Sequence, residues 1–208
     1  MPFAMLIESD LADDKRAIRT AVTELVADSA VTRIGVVGSS AGCDAFFAQV
    51  LAALMLLERL DVEVALVAPA ATQATRIYGL PHGPKARELA ESGTARELPL
   101  IRDDAATVLV GRARHLGDDG AKLHGETYVD SERLFTGEVR GVEIEPLRDA
   151  PGVRGRLIRR MPGGWLTGRA VQTGGTNIVV EREGSITPRV VKRSTFYRHH
   201  VDMKLVCP

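Results

Sequence analysis

Arg33-Ile34-Gly35-Val36-Val37-Gly38-Ser39-Ser40-Ala41-Gly42-Cys43-Asp44 is the stretch that decides the fold. A short apolar run ends in five small residues, and an acidic residue then opens a long apolar segment. Arg33 to Val37 reads as a buried strand, Gly38 to Gly42 as a break, and Asp44 to Leu60 as a helix. Small residues at such a junction let backbone approach a ligand closely. The N–H groups that begin the following helix point outward and attract an anion. Ser39 and Ser40 add hydroxyls, so Gly38, Ser39, Ser40 and Gly42 form a candidate phosphate cradle. The spacing matches neither GxGxxG nor GxxxxGK[ST]. A tight strand-to-helix turn that binds nothing is therefore the competing reading. Asp44, in the first helical turn, either caps backbone N–H groups or holds a metal or a ribose hydroxyl.

The same alternation extends on both sides. Ala4 to Ile7 reads as a strand, and Ser9 or Asp10 is placed to cap a helix from Asp13 to Val26. In that helix Ala17, Ile18, Ala21, Val22, Leu25 and Val26 share one face. Val62 to Ala68 is a third strand, ended by Pro69. Strands alternating with helices favour a parallel sheet with covering helices. The third strand also ends in small residues, Pro69-Ala70-Ala71-Thr72-Gln73, so Thr72 joins the candidate site at the carboxyl edge of the sheet. Thr72 to Ile77 and Lys85 to Glu91 read as short helices, the second stopped by Gly93.

After about Thr94 the helical pattern fades. Thr107 to Arg112, Glu138 to Ile144, Val153 to Arg159, Gly168 to Thr173, Ile178 to Arg182, Val190 to Tyr197 and Met203 to Val206 read as strands between Gly, Pro and Asp turns such as Pro162-Gly163-Gly164. The predicted class is α/β: a small parallel-sheet N-terminal half with covering helices, residues 1–95, then a β-rich, sandwich-like C-terminal half, residues 96–208.

Composition fits a packed globular protein. Of 208 residues, 45% are hydrophobic and 26% charged, so disorder is not expected. Only 4% are aromatic, which leaves the core to aliphatic residues. No apolar run reaches the roughly 18 residues of a membrane span. The N-terminus lacks a signal-peptide pattern, and two cysteines without a CxxC pair predict a reducing, cytoplasmic setting. Net charge is zero, but residues 151–208 carry 11 Lys and Arg against 3 Asp and Glu. A basic half beside an acidic one suits an anionic ligand held between them, or attraction between halves or subunits in a homo-oligomer. Zero net charge and the lack of a recognised module argue against nucleic acid.

Val37 to Asp44, Pro69-Ala70-Ala71-Thr72 and Tyr78-Gly79-Leu80-Pro81 together resemble the motifs of the diacylglycerol kinase and NAD kinase superfamily. That family follows a buried strand with Gly-Gly-Asp-Gly-Thr, and a later strand with Pro-x-Gly-Thr-x-Asn and Leu-Gly-x-Pro. The resemblance covers residues 31–112 by motif and the rest by architecture. It implies a nucleotide phosphate on the glycine loop in a cleft between two halves. ATP and Mg²⁺ are the implied cofactors, and phosphate passes to a lipid or dinucleotide hydroxyl. A regulatory protein that binds nucleotide or lipid without turnover is the alternative, and an oligomeric interaction protein is the third. Ser40 stands at the family's aspartate and Ala71 at its second-loop glycine. The first change removes an anion that would hold Mg²⁺.

Other motifs carry weaker chemistry. Leu100-Ile101-Arg102-Asp103-Asp104 and Gly117-Asp118-Asp119-Gly120 offer paired carboxylates, or simply hairpin turns. Asp119 is the chosen general base. Glu126 and Asp130 are lesser choices. Gln172-Thr173-Gly174-Gly175-Thr176-Asn177 reads as a hairpin. Cys43, at a helix start, is expected to have a lowered pKa, with no base near it in sequence. No Ser-His-Asp arrangement is evident.

Overall fold

The computed structural model describes residues 3–11, 14–161 and 163–208. The chain forms two compact units, Met1–Leu98 with Val201–Pro208, and Pro99–His200.

In the first unit, β1 (Phe3–Ile7), β2 (Arg33–Val37) and β3 (Glu63–Val67) pair in parallel. The crossovers carry α1 (Lys15–Ala27) and α2 (Cys43–Leu56). Two short helices follow, α3 (Gln73–Tyr78) and α4 (Pro84–Ser92), and then β4 (Ala95–Leu98). Helix α1 buries Ile18, Val22 and Val26, one stripe of the expected face. Its cap is Asp14, whose side chain accepts from the Arg16 N–H at 2.8 Å. Ser9 and Asp10, the expected caps, lie in a 3-10 turn, Glu8–Asp10, well before the helix. The predicted start at Asp13 falls outside the described residues. Helix α2 is apolar nearly all round, and Phe46, Phe47, Val50, Leu51 and Leu54 are fully buried. At the amino edge Arg33 is buried. It pairs with Glu63 at 2.6 Å and donates to Ala90 O and Gly93 O, ending α4 against the sheet. Gly93 stops α4, as expected.

The second unit contains β5 (Ile101–Asp103), β6 (Val108–Leu109), β7 (Ala113–Gly117), β8 (Leu123–Val129), β9 (Glu132–Val139), β10 (Gly141–Pro146), β11 (Val153–Leu157), β12 (Leu166–Gly168), β13 (Ala170–Arg182) and β14 (Ser185–Arg198). Strands β13 and β14 are a long antiparallel hairpin on which the others assemble. Strand β7 pairs with the C-terminal part of β13 and β8 with its N-terminal part, so the two lie end to end along it. The core includes Ile101, Leu123, Val142, Ile144, Val171, Ile178 and Phe196, all fully buried. Strand β11 packs face to face on β13 and β8: a methyl at Gly155 would lie 3.2 Å from Val171 and 3.5 Å from Val129. This is the two-layer packing of a sandwich.

Three expectations change here. Gln172 to Asn177 is not a hairpin but the interior of β13, with a register shift between Gly174 and Ile178. Glycine serves close approach instead of turning: a side chain at Gly125 would collide with Gly174 O of the facing strand. Gly117 to Gly120 is not a hairpin either. It is an outward excursion, with a 3-10 turn at Asp118–Gly120, between the collinear β7 and β8. Asn177 braces it, donating to Lys122 O at 2.9 Å and accepting from the His124 N–H at 3.1 Å. Finally Met203–Val206, labelled β15, leaves the β-rich half. It runs parallel to β3 and antiparallel to β4, completing the first sheet in the order β1-β2-β3-β15-β4. The turn predicted at Pro162-Gly163-Gly164 begins on a residue outside the described ones.

Candidate functional site

Strands β1 and β2 are parallel and in register, with Ile7 opposite Val37. The residues that leave both strands therefore emerge side by side at the carboxyl edge. These are Glu8, after β1, and Gly38 to Gly42, after β2. Gly38 N–H donates to Val67 O at 3.4 Å, extending the sheet by one bond. Ser39 N–H donates to the Glu8 carboxylate, and Gly42 N–H to Ser39 Oγ at 3.2 Å. The amides of Ser40, Ala41, Cys43 and Asp44 make no hydrogen bond among the described residues. Ser39, Ser40 and Ala41 are exposed. The loop thus presents several free donors beside one that already holds an oxyanion.

The two loop glycines are needed by packing. A Cβ at Gly38 would lie 2.5 Å from Cys43 Sγ and 2.8 Å from its Cα, and one at Gly42 would strike the Glu8 carboxylate. Cys43 itself is buried, and its thiol is pushed up to about 12, by burial first and then by the Asp44 and Glu8 charges. This reverses the expectation of a lowered pKa: the helix start is outweighed by lost solvent and two neighbouring carboxylates.

Asp44 does not cap its own helix. Its Oδ2 accepts from the Ala74 N–H of α3 at 3.1 Å, while Oδ1 is buried with no hydrogen-bond partner among the described residues. This bond joins the glycine loop to the turn after β3. Thr72 is there, but its hydroxyl is engaged: Oγ1 accepts from Thr75 N–H at 3.1 Å and Thr72 N–H donates to Thr75 Oγ1 at 2.8 Å, a closed capping box. Gly38, Ser39, Ser40, Gly42, Asp44 and Thr72 are thus gathered at one edge of the first sheet. Glu8 is the residue that sequence reasoning missed. Its signal was positional only: it directly follows a strand parallel to β2.

Asp119 belongs to the second unit. It is exposed, with a left-handed backbone (φ 51°), at the tip of the excursion between β7 and β8. The other carboxylates considered are committed to structure. Asp103 is buried; it pairs with Arg182 and accepts from Ala105 N–H and Thr107 N–H at 2.9 Å each. Asp104 accepts from Thr195 N–H at 3.0 Å, and Asp130 from Arg169 N–H and Ala170 N–H. Glu126 accepts from Tyr128 Oη at 3.2 Å.

A second polar group lies inside the sandwich. His115 Nδ1 is 2.6 Å from Thr173 Oγ1, and its Nε2 is 3.0 Å from Ser194 Oγ; Thr173 Oγ1 is 2.7 Å from Thr127 Oγ1. His115 is wholly buried, and burial, followed by the Arg182 charge, depresses its pKa to about 3. Ser194 is also buried. Serine, imidazole and hydroxyls are therefore aligned, but all four residues are buried, and the group holds strands β7, β8, β13 and β14 together. Among the described residues no cluster of three or more His, Cys, Asp or Glu is arranged to hold a metal ion. No helix there is long and apolar enough to cross a membrane.

No family model matches the sequence, and no curated protein matches it. Solved structures do. An NAD kinase from Archaeoglobus fulgidus in complex with ATP superposes with a TM-score of 0.64 at 11% identity, over 99% of this chain and 93% of that one. A protein described as a diacylglycerol kinase, from Bacillus anthracis str. Sterne, gives 0.71 at 8% identity, over 99% and 96%. Yeast NADH kinase complexed with NADH gives 0.57 at 7% identity, over 99% and 83%. Identities this low speak to backbone architecture, which they match from end to end. The parallel sheet with its glycine loop and the β-rich unit after it thus have the fold of the diacylglycerol kinase and NAD kinase superfamily.

Proposed function

We propose that the chain binds a nucleotide by its phosphates at the Gly38–Asp44 loop and transfers the terminal phosphate of ATP to a hydroxyl of a lipid or dinucleotide. One observation carries this reading: the Glu8 carboxylate on the Ser39 N–H, beside four amides without partners among the described residues. A loop that grips one oxyanion has the donors to grip another. The neighbours named as kinases, one of them with ATP bound, add support through the fold.

Two consequences follow from the charges. Glu8 must leave the Ser39 amide before a phosphate takes it, since two anions cannot share one donor at close range. Asp44 lies in the first turn beside the loop, and its Oδ1 is buried and unpartnered. A divalent cation fits that atom, because Mg²⁺ sites commonly use one or two carboxylates plus substrate phosphates. Asp44 would hold the ion, and Mg²⁺ would neutralise phosphate charge. Ser39 and Ser40 supply hydroxyl donors around it. Asp119, exposed and without a side-chain partner among the described residues, is the base we assign to the acceptor hydroxyl.

A second reading, nucleotide binding without turnover, is favoured by Ser40 standing where the resembling kinases carry an aspartate. Thermal melting with ATP, with and without Mg²⁺, followed by assay of ADP release with lipid and dinucleotide acceptors, separates the two. The kinase reading expects a Mg²⁺-dependent rise in Tm and turnover that falls in Asp119→Asn while binding stays. A rise in Tm without ADP release supports the second reading. Glu8→Gln is expected to bind ATP about tenfold more tightly, the worth of one charged hydrogen bond. Absence of any shift in both wild type and Glu8→Gln at millimolar ATP and Mg²⁺ removes the loop from the reading.

A further inference from the structure

We propose that the second unit carries a separate site for a phosphate ester with an apolar body, in the pocket between the ends of β9, β10 and β11. The pocket is open to solvent and has a volume of about 400 Å³, enough for a small organic phosphate. Lys122, Arg140, Arg159 and Arg160 line it, with Glu138 as its one acid. Val139, Leu157 and Ile158 complete the lining.

Lys122 and Glu138 pair with each other at 3.6 Å. Three guanidinium groups remain, and among the described residues none of them forms an ion pair or hydrogen bond. Four other arginines of this unit are spent on carboxylates: Arg154 on Glu145, Arg156 on Glu143, Arg114 on Glu181 and Arg182 on Asp103. The pocket gathers three guanidinium groups, none of them on a carboxylate, around one depression. Three cations around one depression repel one another in the empty site, and a dianion relieves most of that repulsion. Planar guanidinium groups favour phosphate, which they grip through paired N–H donors.

The cations are mounted on fixed backbone. Arg140 precedes Gly141, whose carbonyl accepts from the Ile158 N–H at 2.9 Å, and Arg159 follows Ile158. One ladder bond thus sets Arg140 and Arg159 across from each other. The Lys122 carbonyl is held by Asn177. Half-buried Val139 and Ile158 give an apolar surface that a free phosphate ion would not use. The ligand class is therefore an ester, with the phosphate on the arginines and the organic part on these aliphatic side chains.

The test is a titration of the full chain with phenyl phosphate, with inorganic phosphate and with benzoate, followed by amide NMR shifts. Phenyl phosphate is expected to bind most tightly, with the largest shifts at Val139, Leu157 and Ile158. Arg140→Ser with Arg159→Ser is expected to weaken it at least about tenfold. All three side chains are exposed, so the variants should keep the wild-type melting temperature, and Arg160→Ser alone gives a second, milder variant. Inorganic phosphate binding as tightly as phenyl phosphate overturns the ester assignment. Shifts confined to residues 38–44, or affinity unchanged in the double variant, overturn the site.

Discussion

Acidification tests the buried histidine most directly. His115 has an ordinary imidazole value of 6.5 when the chain is unfolded and about 3 in the fold. Above pH 6.5 both states are neutral there, and the residue adds no pH dependence. Below it the unfolded chain binds a proton that the folded chain refuses, so stability falls with falling pH. The loss is about 1.4 kcal/mol per pH unit, about 3 kcal/mol by pH 4.5 and about 5 kcal/mol by pH 3, where the folded group begins to titrate. That is a large share of the stability of an ordinary domain. Trp165, the one tryptophan of the chain, lies in the same unit, and its fluorescence reports that unit's unfolding in urea. Between pH 6.5 and 4.5 the wild type is expected to lose about 3 kcal/mol more than His115→Gln, which cannot titrate. Equal slopes for the two proteins would refute the argument. Should the variant not fold, the His115 ring resonances of the wild type decide the matter: a titration midpoint above pH 5 refutes it equally.

Further outcomes follow from packing and burial. Cys43, with its thiol at about 12, and buried Cys207 are expected to resist a disulfide reagent at pH 8 in the native protein and to react at once in urea; fast native labelling would contradict the burial. Gly38→Val drives a side chain into the Cys43 backbone, so the expected result is loss of the folded first unit by circular dichroism, not a folded protein that fails to bind. Arg33→Met leaves Glu63 and two helix-end carbonyls without their donor, and is expected to destabilise that unit by roughly 3 kcal/mol in urea denaturation.

The N-terminal alternation of strand and helix was legible because its signals are local. Ile34 to Val37 is an apolar run short enough for a strand, Ile18, Val22 and Val26 recur at helical spacing, and Gly93 ends a helix in the sequence as in the fold. The glycine loop was visible as well, since five small residues between a strand and a helix need no partner to be recognised. Glu8 was not visible as part of it. Its place on the Ser39 amide depends on β1 lying parallel to β2 in one register. The misread glycines of β13 have the same origin. Gly174 and Gly175 are turn residues by composition, and only the approach of Gly125 across the ladder makes them strand residues.

Residue chemistry over a few neighbouring positions determined which segments are strands and helices, where the small-residue loop falls, and which side chains are apolar enough to be buried. Tertiary structure alone decided that Met203–Val206 returns to the first sheet, that His115 meets Thr173 and Ser194, and that the carboxylate just after β1 holds the Ser39 amide of the loop after β2. Those contacts join residues 31 to about 140 positions apart. Periodicity and propensity act within one element, whereas pairing across such distances is chosen by the packing of whole sheets.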